Sequence, residues 1–155
     1  DARPPWCAWK TDFFTASLYG LQTMISRSQM MGFILQASPS FFPVWNEFVV
    51  EYENEGSELP LYVVLGDLAR HIALLERCGS EDELQGIFCV IERWHTEGDD
   101  YVKEAATIGL LEDLQNTNVV GGTDASRFIK YLGPESKRWW AKVNAFWEQG
   151  EIIRD

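Results

Sequence analysis

Six apolar residues, Leu61, Val64, Leu65, Leu68, Ile72 and Leu75, recur at the spacing of one face of an α-helix, a period that no β-strand shares. Pro60 suits the first position of this helix, where a missing N–H costs nothing, and Gly79 follows the stripe as a residue free to turn left-handed. Ser80-Glu81-Asp82-Glu83 then reads as a capping box, with the Ser80 hydroxyl and the Glu83 carboxylate exchanging bonds with each other's backbone. Leu84, Ile87, Phe88 and Ile91 continue at helical spacing, Gly98 closes that helix as Gly79 closes the previous one, and Asp99 is placed to cap the next. That third helix, about 100–116, is apolar on much of its circumference and is expected at the centre of the core.

Upstream, Phe41, Val44, Trp45, Phe48 and Tyr52 form another helical face, with Ser40 as cap, Pro43 in the first turn and Gly56 as the stop. Downstream, Asn118 and Gly121-Gly122 mark a loop, a short helix is expected near 125–132, and Gly133-Pro134 breaks the chain before a last helix over 135–149. No segment alternates β-branched residues, so the chain is expected to be all-α. Successive central helices start about 20 residues apart, the spacing of HEAT or armadillo-like helix pairs. A compact helical stack or an irregular bundle both satisfy it.

With 155 residues the chain fits one domain. Residues 1–30 carry no sustained helical stripe, and Met30-Met31 precede the well-patterned part. The expected division is an N-terminal extension over 1–30, or an ordinary helix near 11–26, followed by one helical domain over 31–155. Three cysteines, Cys7, Cys78 and Cys89, cannot all pair within a chain, and an odd count without dense spacing suggests free thiols in a reducing compartment. No run of 18 apolar residues and no secretory signal are visible, so the expected location is cytoplasmic.

Charge is unevenly distributed. Between Glu47 and Asp113 the chain holds 17 acidic residues and 4 basic ones, while both flanks are nearly neutral. Concentrated negative charge repels nucleic acid and anionic membranes and attracts basic protein surfaces. Little else in the sequence carries chemistry. His71 and Cys78, or Cys89 and His95, do not match structural zinc spacing, and Cys89 and His95, six apart, point away from each other on a helix. With no nucleophile motif, phosphate loop or ligand set, neither an enzyme nor a metal or cofactor site is expected.

The stretch Ile91 to Asn116 resembles the signature of a family of small, acidic, all-helical bacterial proteins. Glu92-Arg93, Glu97-Gly98-Asp99, Tyr101-Val102-Lys103-Glu104, Gly109 and Glu112-Asp113-Leu114-Gln115-Asn116 carry the pattern. The first part is looser than the family's usual spacing, because Trp94, His95 and Thr96 intervene. Ser38-Pro39-Ser40-Phe41, Asp67-Leu68-Ala69-Arg70 and Leu132-Gly133-Pro134-Glu135-Ser136 extend the resemblance over about 36–148. Some such families resemble immunity proteins of polymorphic toxin systems, and the resemblance carries over no catalytic residues.

The functional expectation is therefore an immunity-type inhibitor that neutralises a basic toxin through an acidic helical face. Candidate binding residues are Glu51, Glu53, Glu55, Glu58, Glu81, Asp82, Glu97, Asp100, Glu112 and Asp113. A non-catalytic helical-repeat adaptor is the alternative. Glu112 and Asp113 stand out, because the macrodipole disfavours acids at a helix C-terminus; Arg70 or Arg93 is the expected internal partner. Trp139 and Trp140 are adjacent, so only one of them can face solvent.

Overall fold

The computed structural model describes residues 24–56 and 58–154, and within them the chain is all-α. The helices are α1 (Arg27–Ala37), α2 (Phe42–Tyr52), α3 (Leu61–Cys78), α4 (Glu81–Glu97), α5 (Asp100–Glu104), α6 (Glu112–Gln115) and α7 (Pro134–Gln149), with 3₁₀ turns at Pro39–Phe41 and Ala125–Tyr131. α5 and α6 are the two ends of one continuous rod, joined by a π-helical stretch, Ala105–Leu111.

α3 ends as its sequence demands, with Gly79 left-handed at φ 73°. Gly98 behaves differently from Gly79. Its backbone is extended (φ −71°, ψ 154°), and a Cβ there would lie 2.3 Å from the Trp94 carbonyl oxygen and 2.6 Å from Val102 Cγ1. Close approach, not a left-handed turn, is what requires glycine at this junction. Asp99 caps α5 as expected, its Oδ1 accepting from the Val102 N–H at 2.9 Å.

The expected boundary between residues 30 and 31 falls inside α1. Ile25 forms an isolated parallel bridge with Gly98, its N–H donating to the Glu97 carbonyl at 2.8 Å and its carbonyl accepting from Asp99 at 2.9 Å. Ser26 starts α1, its N–H held by Gln29 Oε1 at 3.1 Å, and Met30 and Met31 are buried. Residues 25–30 thus belong to the packed body, because Ile25 has apolar surface to cover and a helix junction to bridge. The alternative of an N-terminal helix near 11–26 lies mostly outside the described residues.

α3 and α4 form an antiparallel pair. α1 and α7 pack on α4, and the rod of α5 and α6 lies along α3. The core between them is completed by Phe41, Phe88, Trp94 and Phe128, all fully buried; each such side chain contributes about 1.5–3 kcal/mol of transfer free energy. Gly109 lets the rod approach α3, since a Cβ there would meet Leu65 Cδ1 at 2.7 Å. On α7, Trp140 is buried, whereas Trp139 is half-buried beneath the Arg138 guanidinium and Lys142 ammonium, 4.7 and 4.3 Å from its ring centre.

The expectation of three free thiols fails at Cys89, which is disulfide-bonded, while Cys78 is free and exposed; Cys7 lies outside the described residues. The thiol count therefore no longer argues for a reducing compartment. Among the described residues no helix is long and apolar enough to cross a membrane.

Candidate functional site

The ten candidate carboxylates do not form one face. Glu81 and Asp82 open α4 and Glu97 closes it, which separates them by about 22–24 Å along the axis at 1.5 Å per residue. Three of the ten are neutralised locally: Glu58 by Arg27 at 3.2 Å, Glu81 by Lys130 at 3.3 Å, and Glu97 by Arg93 one turn earlier. Glu53, Asp82 and Asp100 are exposed at helix ends. The remaining four, Glu51, Glu55, Glu112 and Asp113, converge on α3 from two sides.

The convergence follows from the wheel of α3. Its core stripe faces inward, so Val63, Asp67, Arg70 and Leu74, at i, i+4, i+7 and i+11, share the opposite face. Val63 and Leu74 are 45% and 48% exposed. On one flank stands the end of α2, where Glu51, then burial, then Glu55 and Asp67 push the Tyr52 hydroxyl up. On the other flank stands α6. A Cβ on Gly66 would lie 3.5 Å from Asp113 Oδ2 and 3.9 Å from Arg70 Nη2, so the Asp113 carboxylate and the Arg70 guanidinium together cover the backbone of α3 at this glycine.

Arg70 forms its ion pair with Asp67 rather than with Asp113. Burial, then the adjacent Glu112, therefore raise the Asp113 carboxyl to about 6, and Arg70 only partly opposes them. Burial raises Glu112 as well. Of the two expected partners, Arg70 acts on Asp113 only through its field, and Arg93 is engaged with Glu97. Sequence reasoning missed Tyr52, Asp67, Val63 and Leu74. Their signal was present, since two aliphatic residues three helical turns apart lie off the core stripe of α3.

Two polar clusters elsewhere are structural clamps. The capping box expected at Ser80 does not form, because the Ser80 side chain makes no cap bond and Glu83 turns away from it. Glu83 Oε1 accepts instead from Ser38 Oγ at 2.5 Å and from Ser40 Oγ, while His71 Nε2 lies 3.0 Å from Ser40 Oγ. Burial raises the Glu83 carboxyl, but the Ser38 and Ser40 bonds and His71 outweigh it and hold it below its ordinary value. In a serine–histidine–acid triad the acid orients the far ring nitrogen of the histidine. Here it meets the serines, and the cluster fastens the junction of α1 and α2 to α3 and α4.

The second clamp is buried. Glu92 accepts from the N–H groups of Glu135 (2.9 Å) and Ser136 (2.8 Å) and from Ser136 Oγ (2.7 Å), capping α7 from α4 where the helix dipole favours an anion. With its proton given to Glu92, Ser136 Oγ accepts from His95 Nδ1 at 3.0 Å, and Thr107 Oγ1, which donates to the Lys103 carbonyl at 3.2 Å, lies 3.1 Å from Nε2. Burial holds His95 down to about 4, so it is neutral. A cleft of about 480 Å3 opens beside it, lined by three cations (Lys103, Arg138, Arg154) and three acids (Asp100, Glu104, Glu135). Its charges balance and favour no ligand class. Among the described residues no group of three or more His, Cys, Asp or Glu is placed to hold a metal.

No curated protein and no solved structure matches this chain. A protein-family match covers residues 31–148, nearly the same stretch as the sequence resemblance, and its description assigns no activity. By that match the chain belongs to the family described as Domain of unknown function (DUF7674).

Proposed function

We propose that this protein is a non-catalytic binding module that docks a basic protein on the acidic face shared by α2, α3 and α6, in the manner of an inhibitor that neutralises a toxin. One observation carries the reading: Asp113, with Glu112 next to it, reaches the outer side of α3 at Gly66, while Glu51 and Glu55 lie with Asp67 around the Tyr52 hydroxyl. Of the two arginines on that side of α3, Arg70 is paired with Asp67 and Arg77 is turned to Thr123 and the Val120 carbonyl. A solvated acid added only for solubility gains nothing from burial or from a neighbouring carboxylate. Burial raises both Glu112 and Asp113, and Glu112 adds to the rise at Asp113, so an arriving Lys or Arg relieves the repulsion stored there. A cationic groove built to bind phosphates presents that chemistry, which is why inhibition of a nuclease-type toxin is the specific form proposed. A helical adaptor would use the same face without inhibiting its partner.

The test compares wild type with Glu51→Lys/Glu55→Lys/Asp113→Lys. Partners are captured from an extract of the source organism, identified, purified and measured kinetically against both proteins. Opposite charges steer association, so the reversed protein should associate about tenfold more slowly at low salt, with a flatter salt dependence. Its folding midpoint should not fall, since exposed or half-exposed substitutions move stability by about 0.5 kcal/mol. Equal on-rates and equal salt dependence would sink the proposal. Loss of the purified partner's own activity on binding separates an inhibitor from an adaptor.

A further inference from the structure

Cys89 is buried on the side of α4 that faces away from the core. Ile87 and Ile91, both fully buried, lie about 160° around the helix from it, and Cys89 itself stands outside the core cluster. Its own stripe is the outer one. Asp82 and Thr96, seven residues to either side and within about 20° of it, are exposed, yet Cys89 between them is only 7% exposed. One flank of that stripe carries Arg93, whose guanidinium lies over the Phe33 ring of α1 at 4.8 Å. The other carries Glu92, which caps α7. Cys89 therefore lies in a groove between α1 and α7 that is open at both ends of α4 and covered at its middle.

We infer that the cover is this chain's own N-terminal segment, residues 1–23, strapped into the groove by a disulfide between Cys7 and Cys89. The partner follows by elimination. The sequence holds three cysteines; Cys89 is bonded and Cys78 is free, so within one chain Cys7 remains. The reach agrees. Ile25 is bridged to Gly98, nine residues and about 14 Å along α4 from Cys89. The 18 residues from Cys7 to Ile25 can extend to about 60 Å, so the segment turns back over α4 with length to spare. Its composition suits a cover. Trp6 and Trp9 stand on either side of Cys7, Phe13, Phe14, Leu18 and Leu21 follow, and Asp1 and Asp12 offset Arg3 and Lys10 in a chain that is otherwise strongly acidic. A neutral, aromatic segment buries apolar surface against the groove without adding to the charge repulsion of the body.

The bond is tested by counting thiols. Protein purified without reductant is unfolded in urea and labelled with a maleimide. One thiol, Cys78, should react, and three after dithiothreitol, which becomes a cyclic disulfide as it passes two electrons and two protons to the bond. Digestion with trypsin and a glutamate-specific protease should leave peptide 1–10 joined to peptide 84–92. Three reactive thiols before reduction, a link through Cys78, or a disulfide-bonded dimer on a non-reducing gel would each overturn the inference.

The seat is tested by Cys7→Ser, which alters no residue of the helical body. It should lower the urea midpoint by about 1–2 M, as opening a long covalent loop does. Hydrogen exchange at residues 85–93 should become about tenfold faster or more, and deleting residues 1–23 should do the same. Unchanged exchange at 85–93 in both variants, whatever the midpoint does, would show that the bond covers nothing and would overturn the inference too.

Discussion

Replacing Asp113 by asparagine should stabilise the protein at neutral pH, even though it removes an anion close to Arg70. Burial and Glu112 hold the Asp113 carboxyl at about 6, against an ordinary value of 3.8. A carboxyl raised in the fold binds its proton more tightly folded than unfolded. Its ionisation therefore costs stability fully above about pH 6, less as pH falls, and nothing below about 3.8. The displacement, at about 1.4 kcal/mol per pH unit, sets a ceiling of about 3 kcal/mol. Half the side chain is in contact with water, and screening lowers the expected gain to about 1 kcal/mol.

Urea unfolding followed by circular dichroism measures this directly. Asp113→Asn should unfold at higher urea than wild type near pH 7.5, and the two curves should draw together near pH 4. A loss of stability at the higher pH would mean that attraction to Arg70 outweighs burial and Glu112, and the account of the acidic face would be wrong. An equal gain at both values would trace the effect to packing and not to charge.

His95 should show the opposite pH dependence. Held down to about 4, it contributes stability that is complete above its unfolded value of about 6.5 and lost as pH falls toward 4, up to about 3 kcal/mol. His95→Gln should flatten that acid limb in the same urea assay, and an unchanged limb would refute the assignment. Gly109→Ala should destabilise despite alanine's helix propensity, because a Cβ 2.7 Å from Leu65 Cδ1 costs about 1–3 kcal/mol of overpacking against a gain of about 1. A thermal midpoint at or above wild type would show that α3 and the rod can move apart freely.

Helix boundaries were legible wherever a local signal decides them. Gly79 and Asp99 act through their own backbone or nearest N–H groups, and the structure uses both as the sequence implies, while Pro60 stands one residue earlier than expected, at the cap and not at the first helical position. Signals that compete with distant groups were misread. Glu83 is one turn from Ser80, yet Ser38 and Ser40 arrive from another helix and take its carboxylate. Gly98 resembles Gly79 in sequence, but Val102 and the Trp94 carbonyl crowd it, which no local rule reports. The π-helical stretch Ala105–Leu111 has no periodic signature of its own, and within it Gly109 leaves no room for a Cβ beside Leu65. For the site, the amount of charge was legible and its position was not. Glu81 and Glu97 share α4 but stand at its opposite ends, whereas Glu51 and Asp113, more than sixty positions apart, both lie near α3.

Why a destabilising carboxylate can persist at the end of α6 follows from how firmly its rod is held. Asp99 caps the first turn. In the middle, Thr107 is tied to His95, and through Ser136 and Glu92 to the N-terminus of α7. At the far end Gln115 Nε2 donates to the Trp140 carbonyl at 3.0 Å, two residues from Asp113 and so on the other side of the helix, toward α7. The bonds are thus concentrated on the face of the rod toward α4 and α7, and the face toward α3 keeps Glu112 and Asp113 without a direct cation. A repulsion of about 1 kcal/mol cannot unseat a helix anchored at both ends and in the middle, so it remains stored at the surface. The clamp that looked most like chemistry, His95 with its two hydroxyls, and the carboxylates that look most like a docking face are then two sides of one device. Loosening the first should blur the position of the second without touching its charge.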